Sequence, residues 1–276
     1  MSKMYRALDA MRKSKEEDGD HAFAPQDQVQ RDAQPATAEN ANDKTHKLRP
    51  GANLVMVVQP NSQISESFRF LRSKIMRPHT GESPKTILVT SALQGEGKSF
   101  VSSNLAVAIS QSLEEYALLI DTDIRNPAVH KNFGIESSDK GLSAYLSGNA
   151  LLEEVLHKSD IGKLTILPAG NSSEIPVELL SSEKMRLLIQ EVRSRYSDRY
   201  VIIDSPPLEL APETLVIANE VDAVLVVVRY GQTPRSYVRS ALGKIQRGKL
   251  LGMVFNCYDE PLKLYNKRSH YYARTE

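Results

Sequence analysis

Apolar residues in this chain come in short unbroken runs set between stretches of helical spacing. The runs at 87–89, 117–120, 163–167, 200–203, 221–228 and 251–256 are continuous rather than alternating, as in strands buried on both faces of a sheet. Residues 63–76 line up Ile64, Phe68, Leu71 and Ile75 on one helical stripe, and residues 100–110 do the same with Val101, Leu105, Ala106 and Ile109. Residues 141–148 and 151–156 read as helix and turn, and 176–180, 185–196 and 237–244 as helices. Strand–helix alternation sustained over 54–257 predicts an α/β architecture, a mostly parallel sheet flanked by helices on both faces.

One boundary in this pattern carries chemistry. The stretch from Lys85 to Ser99 reads KTILVTSALQGEGKS and leads straight into the helical segment. Strand, glycine-containing loop, Lys-Ser and helix, in that order, is the context of a phosphate-binding P-loop. Gly95 and Gly97 let the backbone curl around a phosphate, and the helix start adds partial positive charge. The expected cradle is Gln94, Gly95, Glu96, Gly97, Lys98, Ser99 and Phe100, with Lys98 on the β- and γ-phosphates and the Ser99 hydroxyl on Mg²⁺. Ala92 stands where the usual pattern has its first glycine. An ordinary glycine turn between strand and helix is the plain alternative.

Carboxylates follow two other apolar runs. Asp121 and Asp123 stand two apart after 117–120, and Asp204 follows 200–203 ahead of Pro206 and Pro207. In open α/β sheets, ligands bind at the carboxyl ends of strands. Asp123 is therefore expected to hold Mg²⁺ through water, Asp121 to accept a proton from an attacking hydroxyl, and Asp204 to bind Mg²⁺ through its water shell. Either residue of the pair taken alone could instead cap the next helix.

Composition narrows the classes. A net charge of +1 over 276 residues gives no electrostatic case for nucleic acid. The single cysteine, Cys257, excludes an intramolecular disulfide and, beside Met253, Val254 and Phe255, reads as a core thiol in a reducing compartment. The longest apolar run, 223–228, is far short of the ~20 residues that span a bilayer, and the N-terminus has no apolar signal core. A cytoplasmic protein is expected.

The chain divides into four parts. Residues 1–18 place Met4, Leu8 and Met11 on one face of a short amphipathic helix, suited to a partner or membrane surface or else a frayed terminus. Residues 19–50 form a flexible polar linker, 51–257 the P-loop domain, and 258–276 a tail with Tyr258, Tyr265, Tyr271 and Tyr272. Aromatic residues are unusual in such a polar tail. Within 63–76, Glu66, Arg69 and Arg72 share a face, as an internal ion pair or as a surface for a neighbouring subunit.

Taken together, SALQGEGKS, LLIDTDIRNP, VIIDSPP, ESFRFLR, HKNFGI, GLSAYLSG, LPAG and ELLSS resemble the bacterial tyrosine kinases of exopolysaccharide and capsule synthesis over about 50–257. The free-standing cytoplasmic members, including those of exosortase-linked gene clusters, are the nearest in pattern. The resemblance implies a P-loop NTPase fold with ATP and Mg²⁺ as cofactors. It also implies an autokinase that passes the γ-phosphate in trans to tail tyrosines, here Tyr265, Tyr271 and Tyr272. It assigns ATP to Lys98 and Ser99, the base to Asp121, the metal to Ser99, Asp123 and Asp204, and a ring homo-oligomer interface to Glu66, Arg69 and Arg72. The implied partners are a transmembrane polysaccharide copolymerase or chain-length determinant protein that activates the ring at the inner membrane face, and a tyrosine phosphatase. The chain departs from the pattern in two places: its tail is sparse in tyrosine, and Glu213 stands where many members carry aspartate. Other classes considered are an ATPase switch of the partitioning or division-site type and an ATP-binding scaffold with little catalysis. The switch class carries a second lysine where this loop has Leu93, and a hydrophobe supplies no charge there.

Overall fold

The computed structural model describes residues 51–78, 81–136, 140–171, 175–195 and 198–258. The expected helix over 1–18, the linker over 19–50 and the tyrosines Tyr265, Tyr271 and Tyr272 lie outside the described residues.

The continuous apolar runs form strands β1 (Thr86–Ser91), β2 (Tyr116–Asp121), β4 (Leu164–Leu167), β5 (Arg199–Asp204), β6 (Ala223–Arg229) and β7 (Leu250–Asn256), with a two-residue strand β3 (His157–Lys158) between β2 and β4. They build one seven-stranded sheet in the order β3-β4-β2-β5-β1-β6-β7. All neighbours run parallel except β3 and β4. β1, β2, β4 and β5 are buried along their whole length, which is why their sequences show no alternation. Two apolar clusters, one on each face, complete the expected doubly covered architecture.

On one face lie helices α1 (Val55–Val58), α2 (Gln63–Met76) and α3 (Lys98–Ser110). α3 is packed between the sheet and α2, so even its polar residues Ser102, Ser103 and Asn104 are buried. Asn104 meets the cost of burial by bonding on all sides. Its Nδ2 donates to the Asn53 and Phe100 carbonyls at 2.8 and 2.9 Å, and its Oδ1 accepts from Met56 N at 3.1 Å. Ser62 caps α2 by accepting from Ser65 N at 3.2 Å. The short helices α4 (Val129–Asn132), α5 (Leu142–Leu146), α6 (Leu152–Val155) and α7 (Pro176–Leu180) lead to α8 (Glu183–Arg195), α9 (Pro212–Glu220) and α10 (Arg235–Lys244).

Several features depart from the sequence pattern. α9 is not signalled, because the fully buried Glu213 interrupts its apolar stripe. β6 begins at Ala223 rather than 221, since Asp222 accepts from Lys85 N, Thr86 N and Thr86 Oγ1 at 2.9–3.1 Å and fixes where β1 and β6 start. The expectation of a buried Cys257 is corrected: the thiol is exposed and its residue has φ 56°. β7 is an edge strand with a neighbour on one side only, so the apolar run beside Cys257 leaves Met253 and Phe255 exposed as well. No helix among the described residues is long and apolar enough to cross a membrane.

Candidate active site

The P-loop lies at the carboxyl end of β1, the strand between β5 and β6. Gly95 and Gly97 have φ of 80° and 90°, left-handed values that favour glycine. A side chain on Gly97 is excluded a second way: a Cβ there would come within 2.0 Å of Asn256 Nδ2. Asn256, at the end of β7, donates to the Glu96 carbonyl at 3.0 Å. The Glu96 side chain is buried and turned inward. Its Oε2 accepts from Leu93 N at 2.8 Å, and its Oε1 accepts from the Thr233 hydroxyl and from Arg229 N at 3.5 Å. Glu96 thus braces the loop and leaves only its backbone N–H for a phosphate. Lys98 opens α3 and is 7% exposed. Phe100 packs edge-on against Phe68 with ring centroids 5.7 Å apart, so its side chain also serves the scaffold. Gln94 and Gly95 are exposed.

Strand register brings the acids together. Asp121 and Asp204 are Cα partners across β2 and β5, and both are fully buried. Asp121 is bonded throughout: Oδ1 accepts from Asp123 N at 3.0 Å, and Oδ2 from Ala128 N and Val129 N at 3.2 and 3.1 Å. Burial, then the Asp204 charge, still push its carboxyl well above the usual carboxylate range. Neither oxygen of Asp204 has a hydrogen-bond partner. The Ser99 and Ser102 hydroxyls lie beside it outside hydrogen-bond geometry and, with Lys98, temper a carboxyl that burial pushes up to about 6. Asp123 accepts from Asn126 N at 3.1 Å. Burial raises its pKa, opposed by the Asn126 N–H, Lys98 and Arg125, while Glu213 adds to the rise.

A buried carboxylate without a partner is costly. Asp204 beside the Ser99 hydroxyl is the donor set a hard cation takes, and Mg²⁺ characteristically uses one or two carboxylates together with phosphate oxygens and water. The residues present therefore fit Mg²⁺.

Two groups near these acids were not assigned from the sequence. Arg125 Nε donates to Glu213 Oε1 at 3.3 Å. The position of Arg125 in LLIDTDIRNP and the departure at Glu213 were the available signals, but nothing in the sequence joins residues 88 apart. The α2 residues are not in this crevice. Arg69 bonds Glu66 and donates to the Pro60 carbonyl at 2.8 Å, whereas Arg72 Nη1 turns inward to the Ala108 carbonyl at 2.8 Å. Glu66 and Arg69 are thus one surface pair, and Arg72 belongs to the end of α3.

Comparison with known proteins bears on this geometry. A family model described as an AAA domain matches residues 84–246. Tyrosine-protein kinase CpsD of Streptococcus agalactiae serotype III (strain NEM316) is 32% identical over 202 residues, 72% of this chain and 85% of that protein. Among solved structures, the kinase domain of Escherichia coli tyrosine kinase ETK superposes with a TM-score of 0.71 at 27% identity, covering 80% of this chain and 85% of the other. The chimerical protein CapA2B2 gives 0.69 at 30% identity, covering 78% and 93%.

Proposed function

The chain belongs to the bacterial tyrosine-protein kinase family, an enzyme with a P-loop α/β kinase domain, and from that premise we propose that it is an autokinase whose tail tyrosines Tyr265, Tyr271 and Tyr272 accept phosphate from a neighbouring copy. The observation that carries this reading is Asp204, a fully buried carboxylate with both oxygens unbonded beside the Lys98–Ser99 start of α3.

In the reaction the bond from the γ-phosphorus to the β–γ bridging oxygen breaks and a bond to the phenolic oxygen forms, while ADP leaves and the phenolic proton passes to the protein. Lys98 holds the β- and γ-phosphates, and the backbone of Gln94–Phe100 cradles them. Asp204, Ser99 and, through water, Asp123 would hold Mg²⁺, which when bound offsets charge on the phosphate oxygens. Asp121 takes the proton, since burial and the neighbouring Asp204 raise its affinity for one. Among the described residues its Oδ1 accepts only the Asp123 N–H, which leaves a lone pair on that oxygen for the hydroxyl. Catalysis by positioning and charge asks little covalent work of the protein.

At the cellular level the proposed role is control of exopolysaccharide or capsule polymerisation and export. The kinase would work as a ring at the inner membrane face, docked to a transmembrane copolymerase and reset by a tyrosine phosphatase. The Glu66–Arg69 pair is the exposed part of the proposed ring interface.

Incubation of the purified chain with ATP and Mg²⁺, followed by mass-spectrometric mapping, tests the reading. Phosphotyrosine on the tail is expected, absent in Lys98→Met and largely lost when Tyr265, Tyr271 and Tyr272 are all changed to Phe. Persistence of the label in Lys98→Met would overturn the mechanism, and an unchanged signal in the triple Phe variant would move the acceptors elsewhere.

A further inference from the structure

One ion pair beside the site has no task in the reaction as described. Glu213, near the start of α9, has a fully buried side chain. Its Oε1 accepts from Arg125 Nε at 3.3 Å, and its Oε2 is buried without a hydrogen-bond partner. Arg125 is 47% exposed. A half-exposed arginine is a poor reason, on stability alone, to bury a carboxylate: exposed pairs return about 0–1 kcal/mol, while burying an ion costs several. The arrangement does, however, fix a guanidinium. With Nε held by Glu213, the two Nη groups at the end of the planar fork make no hydrogen bond among the described residues.

What surrounds the pair gives its direction. Arg125 stands two residues after Asp123 on the loop that leaves β2, and Asp123 feels the charges of Lys98, Arg125 and Glu213 together. Asp123 and Arg125 leave the carboxyl end of β2, Lys98 follows the loop that leaves β1, and Glu213, beyond β5, meets Arg125, so the four gather at the carboxyl ends of these strands. The P-loop stretch from Ser91 to Ser99 carries one cation, Lys98. A phosphoryl group in transfer spreads negative charge over three oxygens, more than one ammonium matches, and a guanidinium fork fits a pair of such oxygens.

We propose that Arg125 is a second phosphate-facing cation, contacting the γ-phosphoryl group as it passes to tyrosine, and that Glu213 is the positioning residue that holds its guanidinium. The proposal rests on the kinase reading above and adds a residue to it. Glu213 acts only through Arg125.

The test uses the full chain in single-turnover phosphotyrosine formation at saturating Mg·ATP, with Mg·ADP affinity and thermal unfolding measured alongside. Arg125→Ala is expected to lower the rate by about 10²–10³-fold, the loss typical of one preorganised donor to a developing charge. Mg·ADP affinity should stay within about threefold, since ADP lacks the γ-phosphoryl group. Arg125→Lys should recover the rate only in part, because it restores the charge but not the fork. Glu213→Gln should cost about tenfold and add nothing to Arg125→Ala in the double variant, the mark of a residue acting through another. A rate within about twofold of wild type for Arg125→Ala overturns the proposal. So does a Glu213→Gln loss that adds in full to that of Arg125→Ala. Lys98→Met run in parallel separates the two levels. If it is inactive while Arg125→Ala stays within about twofold of wild type, only this inference falls; if it still forms phosphotyrosine, the kinase mechanism falls and takes the inference with it.

Discussion

The ends of β2 and β5 are neighbours in one register, and each closes on a fully buried aspartate. Asp121 has three backbone N–H groups on its two oxygens, and Asp204 has none on either. The same residue type at the same depth thus has opposite standing. Asp121 is part of the folded loop it closes, whereas Asp204 is held at a cost that no hydrogen bond on its own oxygens offsets. Burial alone does not tell the two acids apart; their hydrogen bonds do.

The largest way to break this contrast is to neutralise each acid in turn. Asp204→Asn should reduce phosphotyrosine formation by about 10³-fold or more, as expected when several kcal/mol of metal-borne charge stabilisation is lost. The nucleotide-free protein should become more stable by about 1–3 kcal/mol, because an unpaired buried charge is gone. Asp121→Asn should instead destabilise by about 1–3 kcal/mol, since the new amide sets N–H against backbone N–H. Urea melts of both variants check the signs. Two shifts in the same direction would erase the distinction.

A titration sharpens the contrast without mutation. The Asp204 carboxyl is pushed up to about 6, above its ordinary 3.8, so the native state holds that proton through a window in which the unfolded chain has lost it. This group therefore makes the empty fold less stable as pH rises from about 4 to 6. Cation binding runs the other way, because it needs the ionised form. The rise in melting temperature given by Mg·ADP should be full at pH 8 and shrink as pH falls through 6, with apparent affinity dropping about tenfold per unit below it. An increment constant from pH 8 to 5 would show that Asp204 is not the ligand.

The smallest effects are expected on α2, away from the acids. Arg72→Ala removes the donor to the Ala108 carbonyl and should cost about 0.5–1.5 kcal/mol of stability. Arg69→Ala loses an exposed pair worth at most about 1 kcal/mol. Both should leave Mg·ADP affinity intact. The proposed ring interface requires that the double variant give smaller particles in light scattering; an unaltered mass would remove it.

Much of this arrangement is legible in the chain itself. Continuous apolar runs dictate a parallel, doubly covered sheet, and helical spacing places α2 on its observed residues, 63–76. The Lys98–Ser99 start of α3 and the aspartates closing β2 and β5 follow from local order, because strand ends and glycine turns are set by neighbours in sequence. Cys257 and α9 were misread or missed for the converse reason: exposure at an edge strand and a stripe broken by Glu213 depend on what lies alongside.

Sequence alone, then, determined most of the element types, the phosphate-binding loop and where the three acids stand. Tertiary structure alone decided which acid is bonded and which is bare, that Arg72 closes α3 instead of joining the surface pair, and that Arg125 meets Glu213. The reason is physical: a hydrogen bond or ion pair between residues far apart is fixed by strand register and helix docking, and no local pattern encodes either.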